Sequence, residues 1–319
     1  MSRSSNTTEL VKVCSGEANG SPAKHQVAEL KIPVPWGHIA VKAWNDPSGI
    51  PVVAIHGSMD NCGTFNRLIP LLPRSHYYAC VDLPSHGLSS RFPPGLPLDF
   101  CDLVMSLRRV TDHFGWDRVT LMGHSLGGQV CAVFSAMYPR RVRTLVMLDS
   151  LAPYATPLDG YKAYYRHSVE ALLKLDVDGE PPSHTYEEAL RRMVDKRVDK
   201  ITVEAARQLL ERGLVKNQNG YSFSVDPRMR TLLPFSFGSE GTGLTIPKLI
   251  ACPQLTVITD YVRHRIASRK EFQNAFKEYS QRGNFTCVEV EGSHDIHNIS
   301  PEKISGDISQ FLVKQTSTL

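Results

Sequence analysis

A serine flanked by glycines is the first feature of the sequence that could carry out chemistry. Residues 119–128 contain Gly123-x-Ser125-x-Gly127, between an apolar stretch that predicts a β-strand and one that predicts a helix. A sharp strand-to-helix turn holds its serine in a strained backbone conformation, and the glycines let neighbouring chain pass without a clash at Cβ. The pattern predicts that Ser125 is a nucleophile whose hydroxyl lies above the edge of a sheet.

Backbone N–H groups near this serine could stabilise a developing negative charge. A helix that begins at Leu126 would point its first N–H groups at a bound carbonyl oxygen, which becomes an oxyanion in the transition state. A second N–H is expected from Ser58, because His56-Gly57-Ser58 follows a predicted apolar strand. Ser58 and Leu126 are therefore the predicted oxyanion hole.

A histidine near the C-terminus is the predicted general base. Serine needs a base to remove its proton, and the sequence has 12 histidines. The base is expected after the last strand of the sheet, in the segment 291–297, which contains His294 and His297. We choose His294, because it directly follows a Gly-Ser turn, whereas His297 is expected to pack toward the final helix. His86 and His124 are predicted to serve local packing.

Two aspartates are candidates for the acid that orients the imidazole of His294. Asp149 ends the predicted strand that follows the helix after Ser125, and Asp260 ends the next predicted strand. Asp260 comes slightly earlier than an acid in that loop is expected, and Val262 occupies the expected position. We therefore prefer Asp149, while the other aspartate would only cap a strand end.

Short apolar strands that alternate with helices surround these residues. This alternation predicts an α/β fold with a mostly parallel central sheet flanked by helices. Strands are predicted near residues 30–34, 39–44, 52–55, 77–81, 119–122, 145–148, 255–259 and 286–290. Helices are predicted near residues 65–72, 97–114, 126–137, 268–281 and 301–313.

The alternation is interrupted once, which predicts an inserted cap. Residues 152–247 show helical patterns near 161–175, 186–196 and 203–213, without a buried strand between them. The core is expected to comprise residues 28–151 and 248–319. Residues 1–27 are rich in small polar residues and lack apolar periodicity, so we expect a disordered N-terminal arm.

Composition excludes several classes of function. The net charge is +4, from 36 basic and 32 acidic residues that are interleaved, so no nucleic-acid partner is expected. The 7 cysteines have no spacing typical of a metal site, so no structural zinc is expected, and a serine nucleophile with a histidine base needs neither a metal nor another cofactor. Composition does not define the oligomeric state.

No targeting or membrane-spanning segment is predicted. The N-terminal residues lack the apolar core of a signal peptide, and no stretch has the ~20 apolar residues that a membrane span needs. We therefore expect a soluble cytoplasmic protein. The C-terminal Ser317-Thr318-Leu319 is similar to a peroxisomal Ser-Lys-Leu signal without its basic residue, which makes a peroxisomal location the weaker alternative.

The sequence resembles the serine hydrolase-like proteins, the Kraken-type branch of the α/β-hydrolase superfamily, from Glu29 onward. The similarity is carried by the segment around Ser125 and by Val34-Pro-Trp-Gly-His-Ile-Ala40, Phe65-Asn-Arg-Leu-Ile-Pro-Leu-Leu-Pro73 and Ser85-His-Gly-Leu-Ser89. The resemblance implies a capped fold, a serine nucleophile at Ser125 and a base at His294. Residues 259–264 depart from the wider superfamily, since they lack its Gly-x-x-Asp pattern.

These features predict a serine hydrolase that cleaves an ester or related acyl compound through an acyl-enzyme. Aromatic residues of the predicted cap favour a small-molecule, moderately hydrophobic acyl substrate, although aromatic residues at helical spacing more often pack in a core. Those aromatic residues are Tyr154, Tyr161, Tyr164, Tyr165 and Phe223. The alternative is a ligand-binding receptor or pseudoenzyme that retains the pocket, which the irregular segment 259–264 suggests.

Overall fold

A mostly parallel β-sheet runs through the core of the chain. The computed structural model describes residues 9–13, 25–95, 97–151, 158–175, 181–197, 199–232 and 240–317. These residues form a nine-stranded sheet in the order β1-β2-β3-β5-β4-β6-β7-β10-β11. The last six strands in this order, β5, β4, β6, β7, β10 and β11, are parallel to one another. Its strands are β1 (Glu9–Val13), β2 (Val27–Val34), β3 (Gly37–Trp44), β4 (Ile50–Ile55), β5 (His76–Val81), β6 (Val119–His124), β7 (Val142–Leu148), β10 (Gln254–Ile258) and β11 (Phe285–Glu289). The predicted α/β fold with its mostly parallel sheet is confirmed.

Helices cover both faces of this sheet. The described α-helices are α1 (Phe100–His113), α2 (Leu126–Met137), α3 (Leu158–Leu175), α4 (Tyr186–Asp195), α5 (Val203–Gly213), α6 (Glu240–Leu249), α7 (Asp260–Ser268), α8 (Lys270–Ser280), α9 (Ile296–Ile299) and α10 (Glu302–Thr316). Alternate residues of one strand face opposite layers of the core: Val53 and Ile55 belong to the layer with α1 and α2, whereas Val52 and Ala54 belong to the layer with α10. This two-sided burial explains why the central strands are runs of apolar residues.

Two predicted helices differ from the observed elements. The segment predicted as a helix near residues 65–72 forms two 3₁₀ turns, Cys62–Phe65 and Ile69–Leu71, because Pro70 lacks the N–H that a longer helix would use. The helix predicted near residues 268–281 is preceded by α7, which the sequence analysis missed. The extended backbone of Arg269 separates α7 from α8.

The segment predicted to be a helical cap contains α3, α4 and α5 at the expected positions. It also contains a hairpin of two short antiparallel strands, β8 (Leu214–Asn217) and β9 (Gly220–Phe223). Helix α6 overlaps the predicted end of the cap at residue 247 but packs against α2 and α8. The division into cap and core remains a prediction.

The predicted disordered arm includes a strand. Strand β1 pairs antiparallel with β2, with Leu10 opposite Leu30 at the edge of the sheet. The pairing gives the backbone of β1 hydrogen-bond partners from a distant segment, which local composition does not reveal. Residues 1–8 and 14–24 of the arm lie outside the described residues, and its last residue, Val27, begins β2.

Among the described helices, none has both the length and the apolar character needed to cross a bilayer.

Candidate active site

The serine predicted as nucleophile lies on a strained turn between β6 and α2. Ser125 has φ 50° and ψ −118°, outside the conformations that residues other than glycine usually adopt. A Cβ at Gly123 would lie 2.4 Å from the carbonyl oxygen of Gly127, and one at Gly127 would lie 2.2 Å from that of Ile55. Both positions therefore require glycine, which is the steric reason for the observed Gly-x-Ser-x-Gly pattern.

The imidazole of His294 contacts both Ser125 and Asp149. Its Nε2 lies 3.0 Å from Oγ of Ser125, and its Nδ1 lies 2.6 Å from Oδ2 of Asp149. A carboxylate accepts only, so Nδ1–H donates to Asp149 and leaves Nε2 free to accept from the serine hydroxyl. This tautomer is the one that allows a histidine to take a proton from serine.

Asp149 is held firmly at the end of β7. Its side chain is fully buried, and its Oδ1 accepts a hydrogen bond of 2.7 Å from the N–H of Thr259. Its own N–H donates to the carbonyl oxygen of Val257, also at 2.7 Å. These bonds fix the carboxylate relative to the neighbouring strand, so Oδ2 is directed at His294.

Asp260, the competing candidate, lies elsewhere. Its side chain is 54% exposed; Oδ2 accepts from the N–H of Gly292 at 2.9 Å, and Oδ1 pairs with Arg263. The Gly292 N–H is the main reason that the pKa of Asp260 lies below its usual value. Asp260 thus holds the loop before His294, and the structure brings Asp149 to the imidazole instead.

The loop after β4 lies directly beside the serine. A Cβ at Gly57 would lie 2.8 Å from Nδ1 of His124 and 3.3 Å from Cβ of Ser125. Ser58, the next residue, is exposed. Leu126 begins α2, and the first N–H groups of a helix have no partner within the helix. Ser58 and Leu126 remain the predicted oxyanion hole.

His56 maintains the shape of this loop. Its Nδ1 lies 2.7 Å from the carbonyl oxygen of Gly57, to which it donates, and its Nε2 accepts from the N–H of Leu83 at 3.0 Å. Burial lowers the pKa of His56, which favours the neutral ring that this arrangement requires. His56 therefore orders the backbone that leads to Ser58.

Three more buried histidines have structural contacts. His124 Nε2 lies 3.0 Å from the carbonyl oxygen of His294, and His297 Nε2 lies 2.7 Å from Oγ1 of Thr64. Burial holds the pKa of His124 well below its usual value and lowers the pKa of His297 to about 3. The ring of His86 contacts a different part of the chain. Its Nδ1 lies 3.0 Å from the carbonyl oxygen of Pro84, and burial lowers the pKa of His86 to about 3.

An aromatic ring covers one side of the His294 imidazole. The ring centroids of Tyr261 and His294 lie 4.3 Å apart, and the guanidinium of Arg265 lies 4.3 Å from the centroid of Tyr261 on helix α7. The sequence analysis missed this contact because it missed α7. Packing of Tyr261 against the imidazole restricts the orientation of the ring.

An arginine from the predicted cap binds two buried carboxylates beside the site. Arg197 Nη1 lies 2.5 Å from Oδ1 of Asp60, and its Nη2 lies 2.8 Å from Oδ1 of Asp295. The side chains are 16%, 1% and 3% exposed, respectively. Burial would raise the pKa of Asp60, but the guanidinium outweighs burial and lowers it. Arg197 thus joins the loop of Ser58 to the loop of His294.

The same cluster has the donor spacing of a metal site. A ring nitrogen of His124 and carboxylate oxygens of Asp60 and Asp295 lie within 4.8 Å of one another. The guanidinium of Arg197 already binds both carboxylates, so the protein itself supplies a cation between them, and burial raises the pKa of Asp295.

A second residue of the predicted cap contacts the loop of His294. Asp199 Oδ2 accepts a hydrogen bond of 3.0 Å from the backbone N–H of His294. Asp199 and Arg197 were missed by the sequence analysis, because no local pattern relates them to residues 95 or more positions away.

The fold defines the class of protein. A mostly parallel sheet with a serine on a sharp turn after a central strand is typical of α/β hydrolases, and residues 50–173 match the family model described as the alpha/beta hydrolase fold.

Curated relatives then identify the family. The chain is 34% identical over 298 residues to serine hydrolase-like protein 2 of Homo sapiens. The aligned region covers 90% of this chain and 94% of that protein. It is 30% identical over 290 residues to a probable serine hydrolase of Drosophila melanogaster, covering 89% of this chain and 87% of that one. The chain belongs to the serine hydrolase-like family of the α/β-hydrolase superfamily, as the sequence resemblance implied.

Solved structures agree on the fold. A hypothetical protein from Pseudomonas aeruginosa PAO1 superposes with a TM-score of 0.79 at 25% identity, covering 89% of this chain and 99% of the other. The thioesterase domain from the curacin biosynthetic pathway superposes with a TM-score of 0.72 at 19% identity, covering 88% and 98%. At the lower identity, the similarity shows the fold alone.

Proposed function

We propose that this hydrolase cleaves an ester or related acyl compound through an acyl-enzyme on Ser125. The observation that carries the proposal is the hydrogen-bonded series from Ser125 Oγ through His294 to Asp149, with distances of 3.0 and 2.6 Å. This is the geometry in which a base can activate a serine and an acid can orient the base.

The reaction would proceed in two halves. Ser125 Oγ attacks the carbonyl carbon while His294 Nε2 takes the hydroxyl proton, and the N–H groups of Leu126 and Ser58 stabilise the oxyanion. The tetrahedral intermediate expels the leaving group, which receives the proton from His294. Water then attacks the acyl-enzyme with His294 again as base, and the acid product leaves with Ser125 restored.

Asp149 would orient the imidazole throughout both halves. Its buried carboxylate keeps the proton on Nδ1 and stabilises the positive charge that His294 carries after taking the serine proton. Neither half of the reaction requires a metal or a cofactor.

A small-molecule, moderately hydrophobic acyl substrate fits the described part of the cap. Phe223 lines a cavity beside the loop of Ser58, together with Met59 and Val225. Of the other aromatic residues predicted to favour such a substrate, Tyr164 is 38% and Tyr165 42% exposed. Tyr154 and the side chain of Tyr161 lie outside the described part of the chain.

The alternative of a ligand-binding receptor or pseudoenzyme was based on the irregular segment 259–264. That reason loses its force, because the carboxylate beside His294 comes from Asp149 and not from this segment. A receptor would bind acyl compounds without turnover, which the following experiment distinguishes.

The proposal is tested by hydrolysis of p-nitrophenyl esters of increasing acyl length. We expect turnover by the wild type and none by Ser125→Ala. Ser135→Ala is the matched control. Ser135 is a buried serine of α2, the helix that follows Ser125, and its hydroxyl donates to the carbonyl oxygen of Cys131. A fluorophosphonate probe should add mass to the wild type and to Ser135→Ala only. Folded wild type that neither turns over any ester nor reacts with the probe would contradict the proposal.

A further inference from the structure

A cavity between the cap and the loop of Ser58 has an apolar interior. It measures about 270 Å³, and its lining includes Met59, Met193, Phe223 and Val225. Drug-sized ligands occupy pockets of about 300 Å³ and larger, so this cavity suits a short chain. Contact with these residues would remove a few methylene groups of a bound ligand from water.

The same cavity is lined by basic residues, and none of its lining residues in the described part of the chain is acidic. Arg192, Lys196, Arg197 and Arg230 contribute to its wall. The charge of Arg197 is matched by Asp60 and Asp295. Within the part of the chain that the structure describes, no carboxylate forms an ion pair with Arg192, Lys196 or Arg230. Three cations thus line an apolar space, and none of them pairs with a carboxylate of the described residues.

The cavity is lined by one residue of the loop of Ser58 and by one residue that binds the loop of His294. Met59 directly follows Ser58 in the loop beside Ser125 and lines the cavity. Arg197 forms another part of the wall and binds Asp295, the residue after His294. A molecule in the cavity therefore touches residues adjacent to both predicted catalytic loops.

We propose that this cavity binds an anionic end of the substrate, a carboxylate or a phosphate separated from the cleaved bond by a short apolar chain. The assignment rests on the proposed function and adds a substrate class to it. Arg192, Lys196 and Arg230 attract the anion, while Met59, Met193 and Phe223 contact the chain. A neutral acyl ester would leave the three cations unmatched and would react more slowly.

The kinetic test compares two esters of equal chain length, p-nitrophenyl hexanoate and mono-p-nitrophenyl adipate, which carries a terminal carboxylate. We expect a higher kcat/KM for the adipate ester, by about tenfold at low salt, and a smaller preference as salt screens the charges. The double variant Arg192→Gln/Arg230→Gln should lose the preference, through a lower kcat/KM on the adipate ester.

A matched control removes two charges elsewhere on the predicted cap. Arg191 and Lys216 are exposed and do not line the cavity, so Arg191→Gln/Lys216→Gln should retain the preference. An equal loss in both double variants would show a general effect of net charge and would overturn the proposal. So would a wild type that hydrolyses both esters equally well.

Binding to Ser125→Ala tests the cavity independently of turnover. Calorimetry compares three ligands: the hexanoate anion, which carries a carboxylate, hexyl phosphate, which carries a phosphate, and hexanamide, which is neutral. We expect one or both anions to bind more tightly than hexanamide, and the Arg192→Gln/Arg230→Gln changes to abolish the difference. Equal binding of all three would overturn the cavity assignment. Anion binding by a wild type without any turnover would contradict the proposed function and leave the cavity assignment standing.

Discussion

The carboxylate of Asp149 lies 2.6 Å from Nδ1 of His294, although 145 positions separate the two residues in the chain. The fold brings them together because β7, which ends just before Asp149, is adjacent to β10 and close to β11, which precedes the loop of His294. The carboxyl ends of parallel strands share one edge of a sheet, so residues that follow different strands meet there.

Replacing Asp149 by asparagine should strongly reduce ester hydrolysis. An amide at this position favours the wrong tautomer of His294, and the equivalent change in a serine protease lowers kcat about 10⁴-fold. Asp260→Asn is the matched control, because Asp260 is exposed and bonds Gly292 instead of the imidazole. Steady-state kinetics on one ester would measure both. A larger loss in Asp260→Asn than in Asp149→Asn would refute the assignment of the acid.

The turn that carries Ser125 should not tolerate a methyl group at Gly127. The added Cβ would lie 2.2 Å from the carbonyl oxygen of Ile55 and 2.5 Å from that of His56. Both are backbone atoms, so the end of β4 must move, at a cost of about 1 to 3 kcal/mol in the free energy of unfolding and with loss of hydrolysis.

Gly306 provides the contrast for this change. It is exposed in the interior of α10, and a Cβ there would have no heavy atom within 4 Å. Gly306→Ala should raise the free energy of unfolding by up to about 1 kcal/mol, because alanine favours a helix more than glycine does. Urea denaturation of both variants would test the pair, and equal effects at the two positions would contradict the steric argument.

Removing the guanidinium of Arg197 should destabilise the protein. Arg197→Met leaves the carboxylates of Asp60 and Asp295 buried without their partner, and breaking a buried ion pair in this way costs about 3 to 5 kcal/mol. Arg191→Met, at an exposed position, should cost little. Adding Asp60→Asn and Asp295→Asn to Arg197→Met should recover part of the loss, as urea denaturation would show. No recovery would mean that lost packing, and not unmatched charge, causes the effect.

The stability of the protein should fall as the pH is lowered below the usual pKa of histidine. Burial lowers the pKa of His86 and of His297 to about 3, so both stay neutral in the folded state while the unfolded chain takes up protons below about pH 6.5. The stabilisation is therefore complete above pH 6.5 and is lost progressively as the pH falls toward 3.

His86→Gln tests this pH dependence. Each such histidine contributes a slope of about 1.4 kcal/mol per pH unit to the free energy of unfolding, and the variant should lose one such contribution. Urea denaturation at several values between pH 4.5 and 6.5 gives the slopes, and replacing the exposed His264 provides the control. An unchanged slope in His86→Gln would mean that His86 is charged in the folded protein.

Local pattern was sufficient for the elements and residues that depend on local chemistry. The apolar strands, the glycine requirement around Ser125 and the position of His294 after the last strand follow from steric and periodic constraints within a few residues. The preference for Asp149 over Asp260 came from counting residues after a strand, and the structure brings Asp149 to the imidazole.

The residues that were missed depend on contacts between distant segments. Arg197 and Asp60 are 137 positions apart, and a lone arginine after a helix resembles any solvated charge. The edge strand β1 gains its hydrogen bonds from β2, so its own polar surroundings predicted an arm. Helix α7 was missed because a single residue, Thr259, separates it from β10, which is too short a connection to mark the change from strand to helix.

The order of these residues along the chain also determines when the site is completed. Ser125 and Asp149 leave the ribosome well before His294, which follows β11 near the C-terminus. Protein synthesis proceeds from the N-terminus, and a domain folds as a unit once its chain is available. If Ser125, His294 and Asp149 have the proposed roles, a nascent chain that ends before His294 contains the nucleophile and the acid but lacks the base. A premature stop anywhere before His294 therefore yields an inactive product, however well its first strands fold.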